Sequence, residues 1–108
     1  MGNTVTDNDA ASRFEITVDG ELAGYLDYRE HQGEYALPHT RVLTQFEGRG
    51  IGSELVVSAL ETIRERGGTV LPYCPFVPKV MRDHPELIDL VPEDERGTFG
   101  LDVTQRAR

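Results

Sequence analysis

The run Glu47-Gly48-Arg49-Gly50-Ile51-Gly52-Ser53 sets three alternating glycines where a strand-like segment passes into an amphipathic helix. Glycine removes the side chains that hold a ligand off the backbone, and it permits the positive φ that a tight turn needs. The first turn of the helix then presents N–H groups with no partner inside the helix, at the positive end of its dipole. Together these make a seat for phosphate or pyrophosphate. The plainer alternative is a tight strand-to-helix turn with no ligand. Two side chains elsewhere could do chemistry. Cys74 lies between a strand end and a helix start, where the dipole favours a thiolate nucleophile. His39, on a strand, carries an imidazole suited to proton transfer at neutral pH. Against these stand an inert buried thiol and a structural histidine. Tyr73 and Glu47 are weaker candidates of the same kind.

Two familiar phosphate loops fail on spacing. A P-loop requires Gly-Lys before Ser or Thr, and the chain has no Gly-Lys pair. The dinucleotide fingerprint G-x-G-x-x-G would need a third glycine at Ser53 or Leu55.

The elements that must position these residues can be read from periodicity. Phe14, Ile16 and Val18 alternate with Glu15 and Thr17, as in a half-buried strand, and Asp19-Gly20 marks a two-residue hairpin. A partner strand runs from about Leu22 to Tyr28. A third runs from about Glu34 to Leu43, interrupted by Pro38, which belongs at an edge or a bulge. Ile51, Leu55, Val56, Ala59, Leu60 and Ile63 form the apolar stripe of a helix over about 50–66, closed by Gly67-Gly68. A short strand over 69–73 follows, which makes the helix a crossover between parallel strands. Pro75 opens a short helix to Asp83. Residues 84–92 read as extended. Residues 1–12 read as a flexible leader and 93–108 as a charged, frayed tail, leaving one domain over 13–92.

Bulk properties narrow the function classes. The 108 residues carry a net charge of −8, against the basic surface that nucleic acids require. An acidic exterior draws cationic substrates such as amines. No apolar run has the length of a membrane span, and the polar, acidic start makes its match to a loose myristoylation pattern a chance one. A single cysteine excludes an intrachain disulfide and suits the cytoplasm. His31, His39, His84 and Cys74 lack metal-ligand spacing, so no metal is expected.

The loop resembles the acetyl-CoA loop of the GCN5-related N-acetyltransferases (GNAT), Arg/Gln-x-x-Gly-x-Gly/Ala, with Gly50 and Gly52 at the two small positions. The first position is Glu47, a departure that leaves the backbone amides as the main phosphate contacts. His39-Thr40-x-Val42 before the loop and Leu71-Pro72-Tyr73-Cys74 after it resemble a compact single-domain branch of acetyltransferase-like proteins. The resemblance covers roughly residues 13–92.

That resemblance implies an α+β GNAT-like fold: a mostly antiparallel twisted sheet with a splayed strand, the main helix packed on it and a short C-terminal helix. It implies acetyl-CoA as co-substrate, bound by Gly48, Arg49, Gly50, Ile51, Gly52 and Ser53, with Val42, Leu43 and Thr44 on the wall of the gap at the splayed strand. Lys79 is a further candidate for a phosphate contact, against the plainer reading of a solvated surface cation. Acetyl transfer to an amine then asks for a held thioester, a polarised carbonyl and a proton acceptor. Cys74 and His39 are the candidates for the last, and Cys74 for any covalent step. Only strands precede the loop, so the amino-terminal helices that many acetyltransferases use to bind acceptors are missing. Two rival readings stay open: a CoA- or acyl-CoA-binding module without turnover, acting as sensor or partner protein, and a structural domain that binds nothing. The acceptor is unnamed by the residues, and exposed strand edges allow a monomer or a weak homodimer.

Overall fold

The computed structural model describes residues 2–101. Five strands form one sheet in chain order: β1 (Asn3–Asn8), β2 (Arg13–Val18), β3 (Glu21–His31), β4 (Glu34–Val42) and β5 (Thr69–Leu71). The first four pair antiparallel, and β4 and β5 pair parallel. Helix α1 (Ile51–Glu65) joins β4 to β5, and α2 (Phe76–Asp83) follows. The architecture is the expected α+β one.

Helix α1 forms where the stripe predicts, and all six stripe residues are buried against the sheet. Burying one such leucine, Leu60, stabilises the fold by about 2 kcal/mol. The helix stops at Gly67, whose φ of 73° only glycine adopts at low cost. There the Gly67 N–H donates to the Arg64 carbonyl at 2.9 Å and the Gly68 N–H to the Ile63 carbonyl at 3.0 Å, a Schellman ending.

The sheet has one covered face. Phe14, Ile16 and Leu26 point into the core under α1. Arg13, Glu15, Tyr25, Asp27, His39 and Arg41 alternate with inward residues and meet across the strands on the outer face. Pro38 lies at an irregularity of β4: Asp27 pairs with His39 and Arg29 with Ala36, so Tyr28 alone faces Leu37 and Pro38. This is a bulge, a position that tolerates a residue with no N–H to donate. Beyond it, β4 leaves β5. Their pairing covers only Glu34–Ala36 against Thr69–Leu71. The Cys74 N–H donating to the Leu37 carbonyl at 2.8 Å marks the apex of the fork.

Three regions depart from the sequence reading. Residues 3–8, expected in the flexible leader, form β1 on the edge of the sheet, and Asp9–Ala11 add a 3₁₀ turn. Val5 alone in β1 packs toward the core, so no alternation announces the strand. Instead Asp7 anchors it through an ion pair to Arg66 at 2.9 Å. Residues 84–92, expected extended, contain a 3₁₀ helix over Pro85–Leu90. Leu87 with Leu90, and Ile88 with Val91, repeat every three residues and are buried, the period of that helix. The expected frayed tail is structured as far as it is described: Glu93–Glu95 make a 3₁₀ turn, and Leu101 is buried with its N–H bonded to the Arg96 carbonyl at 2.8 Å. Residues 102–108 lie outside the described residues.

Candidate functional site

The end of β4 and the starts of α1 and α2 border a cavity of about 260 Å³. Val42 forms its strand wall, and Glu47, Gly48, Gly50, Ile51, Gly52 and Ser53 form the turn and the helix start. Gly48 and Gly50 have φ of 81° and 74°, so each needs glycine to make the turn. Gly50 caps α1 with no side-chain hydrogen bond. The first helical bond runs from the Glu54 N–H to the Gly50 carbonyl at 3.1 Å, so the amides of Ile51, Gly52 and Ser53 precede the ladder. Those amides sit at the positive end of a 15-residue helix.

Gly52 has a different reason to be glycine. A Cβ there would meet the Phe76 ring at 3.0 Å and the Val42 Cγ2 at 3.2 Å. The helix start is thus pressed against the strand wall and α2. Phe46 and Phe76 complete the lining. Neither stood out in the sequence, because an aromatic beside a turn or at the start of a helix reads as ordinary core.

The strand wall offers backbone donors of its own. The Leu43 N–H donates to the Ala23 carbonyl at 2.8 Å, toward β3. By the alternation of an antiparallel ladder, the N–H groups of Thr40 and Val42 point the other way, into the fork. Thr40 shares the face of Val42, and its Oγ1 is buried with no hydrogen-bond partner. A buried orphan hydroxyl carries a desolvation cost that a bound ligand would offset.

The remaining expected site residues are placed less uniformly. Leu43 and Thr44 adjoin Val42 but stay off the cavity wall, as do Arg49 and Lys79. The Arg49 guanidinium lies 5.2 Å over the Phe46 ring, next to the cavity mouth. Lys79 is exposed on α2. Cys74 is a free cysteine, 8% exposed, at the apex of the fork, and its carbonyl accepts the Val77 N–H at 3.0 Å as α2 begins. His39 is exposed on the outer face, with Nδ1 3.2 Å from Asp27 Oδ2. Tyr73 is exposed and makes an edge contact with Phe99, the ring centroids 5.4 Å apart. Asp27, on β3 opposite His39 but twelve positions before it in the chain, went unremarked in the sequence.

The sequence profile of GCN5-related N-acetyl-transferase matches residues 13–90. The chain belongs to that family. Among solved structures, a GCN5-like N-acetyltransferase from Staphylococcus aureus, itself titled putative, aligns over 82% of this chain and 87% of that one, at 20% identity and a TM-score of 0.62. That likeness concerns the fold. Ard1 from Thermoplasma volcanium aligns at 26% identity and a TM-score of 0.48, over 55% of this chain. A protein from Desulfovibrio desulfuricans ascribed to the GNAT family aligns at 26% identity and a TM-score of 0.47, over 54% of this chain. This family member spans about 41% of the Ard1 chain and 40% of the Desulfovibrio one. No curated protein matches it. Among the described residues no helix is long and apolar enough to cross a membrane, and no group of His, Cys, Asp or Glu could hold a metal ion.

Proposed function

We propose that this domain binds acetyl-CoA with its pyrophosphate on the Gly48–Ser53 turn and its pantetheine arm in the fork between β4 and β5, and transfers the acetyl group to an amine. The observation that carries the reading is the cavity at the start of α1, where unladdered helix amides face the Val42 wall of β4, with the orphan Thr40 hydroxyl two residues along the same strand face. Family membership supplies the co-substrate class. A strand N–H aimed into the fork polarises the thioester carbonyl as charge develops on its oxygen. His39 accepts the amine's proton. Cys74, at the apex of the fork, returns a proton to the departing sulfur in this reading.

The burial of Cys74 favours a second reading, a CoA-binding module without turnover. The two separate in one experiment. Calorimetric titration with acetyl-CoA tests the shared binding step, and CoA release with a panel of amines tests transfer. Binding with no release for any amine leaves the module reading; no binding at millimolar acetyl-CoA removes both.

A further inference from the structure

We propose that the Thr40 hydroxyl makes this site selective for the acyl thioester over free CoA, by donating a hydrogen bond to the thioester carbonyl oxygen that the thiol product lacks. The inference rests on the acetyl-CoA reading above and adds the residue that tells the loaded carrier from the empty one.

Thr40 stands opposite Leu26 in the β3–β4 register, and Leu26 is fully buried. Residues opposite one another share a face of the sheet, so Thr40 points to the side covered by α1. Val42 shares that face and walls the cavity at the start of α1. Among the described residues, Thr40 Oγ1 is the only buried side-chain oxygen or nitrogen with no hydrogen-bond partner. Thr62 shows the ordinary way to satisfy such a group. On α1 its Oγ1 donates to the Ser58 carbonyl at 3.0 Å, one helical turn back. A strand gives no such acceptor, because its carbonyls lie in the plane of the sheet while its side chains stand perpendicular to it. A valine would fill the same space with no hydroxyl to desolvate.

Position along β4 selects the part of the ligand that this donor meets. The glycine turn follows the C-terminal end of β4, and the link from Cys74 to Leu37 closes the fork at the other end. With the pyrophosphate on the turn, the pantetheine arm passes Val42 first and reaches Thr40 roughly 7 Å later at strand rise. The thioester is the end of that arm farthest from the pyrophosphate. Its carbonyl oxygen only accepts, and the hydroxyl has a proton to give. The Thr40 N–H points into the fork as well, so one residue presents two donors, one from the main chain and one from the side chain.

Free CoA brings no carbonyl to this place and leaves the hydroxyl unpaired. A site built around a polar contact rejects an analogue that lacks the partner far more strongly than one that differs by a methylene. The same contact therefore holds the co-substrate and lets the thiol product go.

Calorimetric titration with acetyl-CoA, S-ethyl-CoA and free CoA tests this, since the acetyl and ethyl thio groups differ only in the carbonyl oxygen. The wild type binds acetyl-CoA about tenfold tighter than S-ethyl-CoA. Thr40→Val lowers that ratio about fivefold by weakening acetyl-CoA alone, and Thr40→Ser restores it. The carbonyl stretch of bound ¹³C-labelled acetyl-CoA, read by isotope-edited infrared spectroscopy, rises in frequency from the wild type to Thr40→Val as the hydrogen bond is lost. The ligand-free Thr40→Val protein melts about 4 °C higher than the wild type, so a weakened fold does not account for the lost affinity. An unchanged ratio in Thr40→Val, an unmoved carbonyl stretch or a lower ligand-free midpoint overturns this proposal alone. A wild type that binds none of the three ligands at millimolar concentration overturns the acetyl-CoA reading, and the proposal with it.

Discussion

The two ends of α1 make opposite use of their polar groups. At the N-terminal end, glycines and apolar side chains surround backbone amides that the fold leaves without ladder partners. At the C-terminal end, a cavity of about 400 Å³ is lined by Asp7, Asp9, Ser12, Tyr28, Glu30, Tyr35 and Arg66, and the side chains at its heart satisfy one another. Arg66 donates to Tyr35 Oη at 3.0 Å and pairs with Asp7 at 2.9 Å, while the Tyr28 hydroxyl donates to Asp7 at 2.7 Å. Burial first, then the hydrogen bond to Asp7, pushes the Tyr28 hydroxyl well above the usual phenol range. The larger of these two cavities is thus the closed network, and the smaller one leaves its amides outside the helix ladder. Unspent hydrogen-bonding capacity distinguishes a binding site from a structural polar cluster.

The contrast breaks most sharply at Ser53, which lines the fork cavity at the first turn of α1. Ser53→Glu puts a carboxylate where the dipole welcomes it, so the thermal midpoint holds or rises slightly. The same charge repels the pyrophosphate, and acetyl-CoA affinity measured by calorimetry falls about 50-fold, or ~2 kcal/mol. A variant that binds as tightly as the wild type places the phosphates elsewhere.

Asp7→Ala does the converse at the other end. It leaves the Tyr28 hydroxyl and Arg66 without their shared acceptor. Urea unfolding should show a loss of about 2 kcal/mol, with acetyl-CoA affinity of the folded protein unchanged. Reduced affinity in this variant would mean that the two ends are coupled.

The Tyr28 hydroxyl supplies a pH test of the network. In the unfolded chain it ionises near 10, and in the folded protein only at higher pH. Folding therefore holds a proton that the unfolded state releases. The stabilisation is complete below pH 10 and declines as pH rises through the folded value. Melts between pH 9 and 11 should show this loss, and Tyr28→Phe should flatten it by roughly 1 kcal/mol. An equal decline in both proteins assigns the alkaline sensitivity to other groups.

The smallest effect concerns Glu47, which lines the cavity at the start of α1, at a loop position where the resembling motif has Arg or Gln. Glu47→Gln should tighten acetyl-CoA about threefold at low salt, with the gain shrinking as ionic strength rises. Weaker binding would give the carboxylate a positive role.

The glycine turn was legible because its geometry is local. Gly48, Gly50 and Gly52 fall within five consecutive residues, and the helix that presents the amides starts among them. The apolar stripe of α1 was legible for the same reason, since a 3.6-residue period is written into consecutive positions. The edge strand was not. Asn3–Asn8 holds one core-packing residue, and its anchor, Arg66, lies 59 positions after Asp7. Phe76, Asp27 and the orphan Thr40 hydroxyl were equally silent, because their roles depend on what chain folding brings against them.

By itself, then, the sequence determined the turn geometry, the helix and its caps, the bulge at Pro38 and the family. Each is set by the φ preferences or the periodicity of residues within a turn or two of one another. Tertiary structure alone decided which amides stay open, how deeply Cys74 is buried, and that His39 has a carboxylate partner. Those properties belong to pairs of segments, and burial and hydrogen-bond satisfaction exist only once the segments have met.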